Sequence, residues 1–340
     1  MKNTSTKLMM MTVLMIGVII SVSSNSWLGI WLGLEINLLS FIPIMSSAEN
    51  IVTTEASMKY FIVQAMASSI LIFAIMSLSM TPPSLINQPM KEIMINTPLL
   101  VKMGSAPFHW WFPSVMEGLM WSNCLILLTI QKIAPLTLIS YTMTLNMMSM
   151  MIIATSVTVG AIGGFNQTSL RKILTYSSIN HVGWMISATI MSKPLMTMYL
   201  VIYSTMNWII VSMMMKLNIS HLNQINNMDR AATTTKILLI TSILSLGGLP
   251  PFIGFMPKWI IILSLINNHM FVMTTLMVLM SLITLFYYLR ITYSTFMLND
   301  TKVKWINKTL TPIHKLQEFT TLTLISTGMI ILTPGLMSFL

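Results

Sequence analysis

Apolar runs of about 20 residues, each long enough to cross a bilayer as a helix, recur along the whole chain with short polar connectors between them. The alternation predicts eleven transmembrane helices, near 8–24, 27–45, 57–80, 92–113, 121–143, 147–165, 172–191, 195–217, 236–266, 271–298 and 319–339. The ninth is longer than a span requires, and Gly247, Gly248, Pro250 and Pro251 interrupt it, so it reads as one broken helix. The longest polar stretches, Asn218–Thr235 and Asn299–Glu318, are connectors rather than domains. The pattern therefore predicts an all-α polytopic membrane protein forming a single transmembrane domain over 1–340, with a bundle at about 8–298 and a C-terminal helix at about 319–339.

The first run follows Lys2 and Lys7, as a signal peptide would, but no small-residue cleavage site comes after it. SVSSNSWLGIWLGLE leads straight into the second span, and there is no Arg-rich amphipathic transit segment. The first run is therefore expected to remain as a membrane helix.

Composition agrees. Hydrophobic residues make up 55% of the 340 and charged residues 8%, against about 25% charged in soluble domains. The formal charge of +10 does not point to nucleic acid. Nucleic-acid binders gather Lys and Arg on one exposed face among stacking aromatics, whereas these bases lie in connectors. Topology accounts for them better. With the N-terminus on side one, that side holds thirteen of the 18 bases, from Lys2 to Lys315, and side two holds only Lys91 and Lys193. The positive-inside rule then puts the N-terminus in the cytoplasm or matrix, and an odd number of helices puts the C-terminus opposite. Splitting the ninth run into two spans would move Arg290, Lys302, Lys304, Lys308 and Lys315 to the wrong side.

The lone cysteine, Cys124, excludes an internal disulfide, a cysteine-ligated iron–sulfur cluster and a C-x-x-C-H haem attachment. Spacing alone leaves open a haem held by His109 and His181. The 37 methionines often stand where Ile or Leu would pack equally well, as expected of a genetic code that reads an additional AT-rich codon as Met.

The remaining three bases lie within spans: Lys102 in KMGSAPFHWWFP, Lys132 in IQKIAP and Lys258 in GLPPFIGFMPKW. A charge at the centre of a membrane helix costs roughly 2.5–3.5 kcal/mol on insertion scales. Each lysine has a nearby proline, which lacks an amide hydrogen and frees the carbonyl four residues earlier: Met103 for Pro107, Gln131 for Pro135 and Ile253 for Pro257. Carbonyls stranded in lipid need protein or water, so each lysine is expected beside a polar or hydrated pocket. Glu35 is the only acid in the middle of a span. A carboxylate favours the charged form of a neighbouring ammonium, so moving Glu35 away from Lys102 would lower the lysine's affinity for its proton. The structural alternative is snorkelling or helix-locking ion pairs. His109 is either a relay or an interfacial histidine among Trp110 and Trp111. His181, in SSINHVGWM, is either a relay or an interhelical hydrogen bond. Gly160, Gly163 and Gly164 suit close helix packing, Arg171 and Lys172 suit an interfacial anchor, and Glu117 suits the membrane surface on side one.

Four segments carry a resemblance: SNSWLGIWLGLEINLLSFIP at 24–43, KMGSAPFHWWFP at 102–113, GGFNQTSLRKILTYSSINHVGWM at 163–185 and GGLPPFIGFMPKW at 247–259. The second follows the family segment K-x-G-x-A-P-F-H-x-W-x-P. Over about residues 20–300 the chain resembles the antiporter-like membrane-arm subunits of NADH dehydrogenase, mitochondrial respiratory complex I. The tail after Asn299 matches nothing definite.

The resemblance implies an antiporter-like fold lacking the first three of the fourteen helices of bacterial relatives. It implies a multi-pass protein of the mitochondrial inner membrane, with its N-terminus in the matrix and its C-terminus in the intermembrane space. The chain itself would hold no cofactor; NADH, FMN, iron–sulfur clusters and ubiquinone serve the complex elsewhere. Implied partners are other membrane-arm subunits, neighbouring antiporter-like subunits among them, and phospholipids such as cardiolipin. The implied proton-handling residues are Glu35, Lys102, Lys132 and Lys258. Two other functions fit the same buried charges: a sodium/proton antiporter without a redox partner, and a scaffold bracing the membrane arm.

Overall fold

The computed structural model describes residues 4–47, 50–80, 88–226 and 233–297, and the predicted helix at 319–339 lies outside them. Among the described residues the chain is all-helical apart from an isolated bridge between Ser169 and His221. The first three helices are α1 (Thr4–Ser23), α2 (Trp27–Met45) and α3 (Ile51–Met80). A two-piece helix follows, α4 (Gln88–Met103) and α5 (Trp111–Gly118), and then a second, α6 (Trp121–Leu128) and α7 (Ile130–Thr142). Next come α8 (Met147–Gly164), α9 (Leu170–Met191), α10 (Lys193–Leu217) and the short α11 (Leu222–Asn226). A third two-piece helix, α12 (Thr233–Gly247) and α13 (Phe255–Asn267), precedes α14 (Phe271–Met297).

Local sequence sets many of these ends. Ser26 caps α2 by accepting from the Gly29 amide at 3.2 Å, and Asn146 and Ser149 form a reciprocal capping box at the start of α8. Asn218, left-handed at φ 52°, ends α10.

Seven helices among the described residues are long and apolar enough to cross a membrane: α1, α2, α3, α6–α7 taken together, α8, α10 and α14. The predicted runs 92–113 and 236–266 are each two helices with an irregular link, and the second breaks where Gly247, Gly248, Pro250 and Pro251 were expected to interrupt it. The run 121–143 is also broken, at Thr129 (φ −115°, ψ −74°), whose hydroxyl donates to the Leu125 carbonyl at 2.7 Å. The predicted count of eleven spans is not established by the described residues.

The bundle is organised around α9, which is buried along most of its length and touches α5, α7, α8, α10 and α13. Gly160 lets the α8 backbone approach that of α9 closely: a Cβ there would lie 2.5 Å from the Asn180 amide nitrogen. Trp184 and Tyr199 are fully enclosed near this axis. Large apolar side chains such as Phe73, Trp110 and Val272 are exposed on the outside. Apolar exposure on this scale marks a surface that meets lipid or neighbouring protein.

Candidate functional site

All three lysines predicted within spans lie within a few residues of a helix break, and the breaks bring them inside the bundle. Lys102 is in the last turn of α4, Lys132 in the first turn of α7 and Lys258 in the first turn of α13. Their exposures are 8%, 2% and 5%, so the chain encloses them rather than letting them reach an interface.

The first break keeps its backbone satisfied. Gly104, at φ +69°, donates to the Val101 carbonyl at 3.1 Å, and Ser105 donates to Leu100 at 3.2 Å. This is a Schellman-type end, for which glycine supplies the left-handed residue. Trp111 Nε1 donates to the Val101 carbonyl at 3.1 Å, and Gln64 Nε2 to the Lys102 carbonyl at 3.3 Å. Polar side chains thus meet the carbonyls of a helix end buried in the bundle. The proline reading needs correction at two of the three sites. Pro107 lies beyond the end of α4, and Pro257 occupies the first turn of α13, where an amide hydrogen is not needed. Of these three prolines, Pro135 alone interrupts an intact helix beside its lysine.

Lys102 lines a small cavity with Leu34, Asn37, Tyr60, Gln64, Gln131 and Pro135, with about 10 Å³ open to the centre of a water molecule. That is room for one water. On the wall of this cavity two carboxamides bind each other. Asn37 Nδ2 donates to Gln131 Oε1 at 3.1 Å, and Gln131 Nε2 donates to Asn37 Oδ1 at 2.9 Å. Glu35, two residues before Asn37, is within electrostatic reach of Lys102. No direct ion pair between them is found among the described residues, and the buried Glu35 Oε2 has no hydrogen-bond partner.

Lys132 sits deeper. Its Nζ donates to the Tyr203 hydroxyl at 3.1 Å and to the Ser178 carbonyl at 3.4 Å, and lies 4.9 Å from the Tyr203 ring centre and 5.5 Å from that of Phe112. His181 Nδ1 meets the Tyr199 hydroxyl at 2.8 Å, and its ring is 5.1 Å from that of Tyr203. His181, Tyr199, Tyr203, Leu246 and Pro257 line a second cavity of the same size as the first, about 10 Å³. Lys258 Nζ donates to the Gly247 carbonyl at 2.9 Å, and it lies 6.0 Å from the ring centre of Trp184.

The structure brings Lys132, His181 and Lys258 together around α9, with Lys102 and Glu35 on the α2–α4 side. It does not bring His109 into this group. That histidine is in the first break, with Nδ1 3.3 Å from the Pro107 carbonyl and its ring 4.7 Å from that of Trp110. Sequence reasoning missed Asn37, Gln64, Gln131, Tyr199 and Tyr203. The available signal was position: Asn37 and Gln131 are amides inside apolar runs, next to residues already singled out.

Arg171 and Lys172 hold the outer end of α9. Lys172 pairs with Glu117 at 2.8 Å, and Arg171 Nη1 donates to the Glu117 carbonyl at 2.8 Å. Among the described residues, no three His, Cys, Asp or Glu side chains gather where a metal ion could be held.

Residues 24–284 match the family described as NADH:quinone oxidoreductase/Mrp antiporter, transmembrane. The chain is 49% identical over 299 residues to NADH-ubiquinone oxidoreductase chain 2 of Anopheles gambiae, covering 87% of each chain. It is 43% identical over 334 residues to that of Locusta migratoria, covering 96% of this chain and 98% of the relative. A chain of respiratory complex I from Thermus thermophilus shares the fold with a TM-score of 0.84 at 21% identity, over 97% of this chain and 79% of that one. A chain of the Mrp complex from Dietzia has a TM-score of 0.75 at 15% identity, over 84% of this chain and 60% of that one.

Proposed function

The chain belongs to the NADH:quinone oxidoreductase/Mrp antiporter transmembrane family, among its NADH-ubiquinone oxidoreductase chain 2 members, and on that premise we propose that it is a proton-translocating core subunit of the membrane arm of mitochondrial complex I. Its partners are the other membrane-arm subunits, neighbouring antiporter-like subunits among them, and phospholipids such as cardiolipin. It sits in the inner membrane with its N-terminus in the matrix and its C-terminus in the intermembrane space. It holds no cofactor. Electron transfer from NADH to ubiquinone proceeds elsewhere in the complex and drives the translocation here.

The observation that carries this reading is the enclosure of Lys132. Its ammonium ends on the Ser178 carbonyl and the Tyr203 hydroxyl, with Lys102 buried on α4 and Lys258 on α13. Buried ionisable groups are expensive in a membrane and mark proton or ion pathways. Lys102 and Lys132 are the proton carriers in this reading, and Glu35 tunes Lys102. His181 relays between Lys132 and Lys258, which leads toward the exit or the neighbouring subunit. Asn180 Oδ1 and Trp184 Nε1 are buried on α9 without a protein partner. Buried polar atoms demand hydrogen bonds, so these two favour water along the same axis. His109 lies off this line, in the first break.

The test replaces Lys102 with Met in an assembled complex and follows proton pumping and quinone reduction together. A fall in protons moved per electron, with quinone reduction retained, is the expected result. Normal values of both would reject the role. A scaffold predicts instead that neutralising Glu35 and all three lysines harms assembly and spares coupling.

A further inference from the structure

Two amides on the wall of the Lys102 cavity, one of them next to Lys132 in the chain, have no part in the reading above. Asn37 is 3% exposed, and its amide and that of Gln131 each donate to and accept from the other, at 3.1 and 2.9 Å. The pair joins α2 to α7 and forms part of the wall of the Lys102 cavity. Gln131 immediately precedes Lys132, and successive helical residues point about 100° apart. Gln131 therefore faces Lys102 while Lys132 faces Ser178 and Tyr203. A carboxamide neither gains nor loses a proton at working pH. A closed amide pair at this point separates two environments that a proton path has to join.

The surroundings suit a contact that opens. Gln131 lies between the Thr129 break and Pro135, which has no amide hydrogen to return to the Gln131 carbonyl. That turn of α7 has less backbone holding it than an intact helix would. On the other side, Asn37 shares α2 with Glu35, whose buried Oε2 is left without a partner in the closed arrangement. A movement of α2 that gives Glu35 a partner shifts Asn37 as well.

We propose that the Asn37–Gln131 amide pair is the gate of the buried lysine path: paired, it separates Lys102 from Lys132, and when it parts it lets water join them. The proposal rests on the proton-translocating reading above. Asn37 and Gln131 are positioning residues here; neither carries the proton.

The experiment uses the assembled complex in sealed vesicles, with two readouts: the decay of an imposed pH gradient without NADH, and protons moved per electron with NADH. Asn37→Ala removes the latch, and losing one or two hydrogen bonds raises the open population about tenfold. The expected result is faster passive decay and a lower proton-to-electron ratio, with quinone reduction retained. Exchanging the two amides, Asn37→Gln with Gln131→Asn, restores the pair and returns both readouts toward the parent values. If Asn37→Ala does not assemble, the exchanged variant decides: a tight, coupled complex supports the gate, and a leaky or uncoupled one overturns it. A Lys132→Ala control separates the two claims. An unchanged ratio in that control overturns the lysine path and the gate with it. A lowered ratio there, with unchanged leak and ratio in Asn37→Ala, overturns the gate alone.

Discussion

The ammonium of Lys258 donates to the Gly247 carbonyl at 2.9 Å, and the next residue, Gly248, leaves the space for it. Gly248 has φ +84° and ends α12; a Cβ there would lie 3.0 Å from Lys258 Nζ and 3.2 Å from its Cδ. The helix end and the lysine are thus built for each other across the link between α12 and α13. Gly248→Ala meets two penalties. The left-handed backbone costs a residue with a Cβ roughly 1–2 kcal/mol, and the methyl pushes the lysine off its acceptor. The expected outcome is a complex with a lower melting temperature and fewer protons moved per electron. Thermal denaturation and a pumping assay on the same preparation check it. An unchanged ratio in a complex that assembles would mean that this contact does not position Lys258 for proton transfer.

Tyr203 separates hydrogen bonding from packing at Lys132. Tyr203→Phe keeps the ring 4.9 Å below the ammonium and removes the hydroxyl that accepts from it at 3.1 Å. A hydrogen bond involving a charged group contributes about 1.5–3 kcal/mol, while the ring retains its attraction for the cation. The variant is expected to assemble and to pump more slowly per turnover. Tyr203→Ala opens a cavity costing on the order of 3–5 kcal/mol, so assembly itself should fail or weaken. Comparing assembly yield and pumping for the two variants tests the split; equal assembly defects in both would contradict it.

The spans were legible wherever hydrophobicity runs unbroken. The second was read as 27–45 and is α2, Trp27–Met45; the sixth was read as 147–165 and is α8, Met147–Gly164. The breaks were legible only in part: Gly247, Gly248, Pro250 and Pro251 marked the one in the ninth run, whereas Thr129 gave no comparable signal. A hydrophobic run says nothing about whether its backbone stays helical. The link at 104–110 depends on Gly104 at a left-handed φ and on side chains from α3 and α5 that meet the Val101 and Lys102 carbonyls at the end of α4. Those partners are distant in sequence, 38 residues away for Gln64 and Lys102. The same distance hid part of the site. Lys102, Lys132, Lys258 and Glu35 stood out because charge is rare in spans. Asn37 and Gln131 did not, because an amide in an apolar run gains its meaning only from a partner 94 residues away.

Arg171 and Lys172, adjacent at the start of α9, are expected to differ in what they hold. Lys172 pairs with Glu117 at 2.8 Å, but the two side chains are 31% and 48% exposed. Such a pair contributes about 0–1 kcal/mol. Arg171 donates to the Glu117 backbone carbonyl at 2.8 Å and stacks 5.3 Å from the Trp121 ring centre. It therefore ties the end of α5 and the start of α6 to α9. A charge-assisted hydrogen bond of about 1.5–3 kcal/mol is joined there by a cation–π contact of about 0.5–2 kcal/mol. Phe112, whose ring faces Lys132, rides on α5, so loosening that helix reaches the buried lysine. Arg171→Ala should lower the complex's melting temperature clearly and reduce pumping, whereas Lys172→Ala should change either very little. Arg171→Lys recovers little, since an ammonium lacks the planar fork that stacks and donates together. Denaturation of the three variants side by side gives the order, and a larger loss for Lys172→Ala than for Arg171→Ala would show that the exposed pair, not the stacked arginine, holds this end of the bundle.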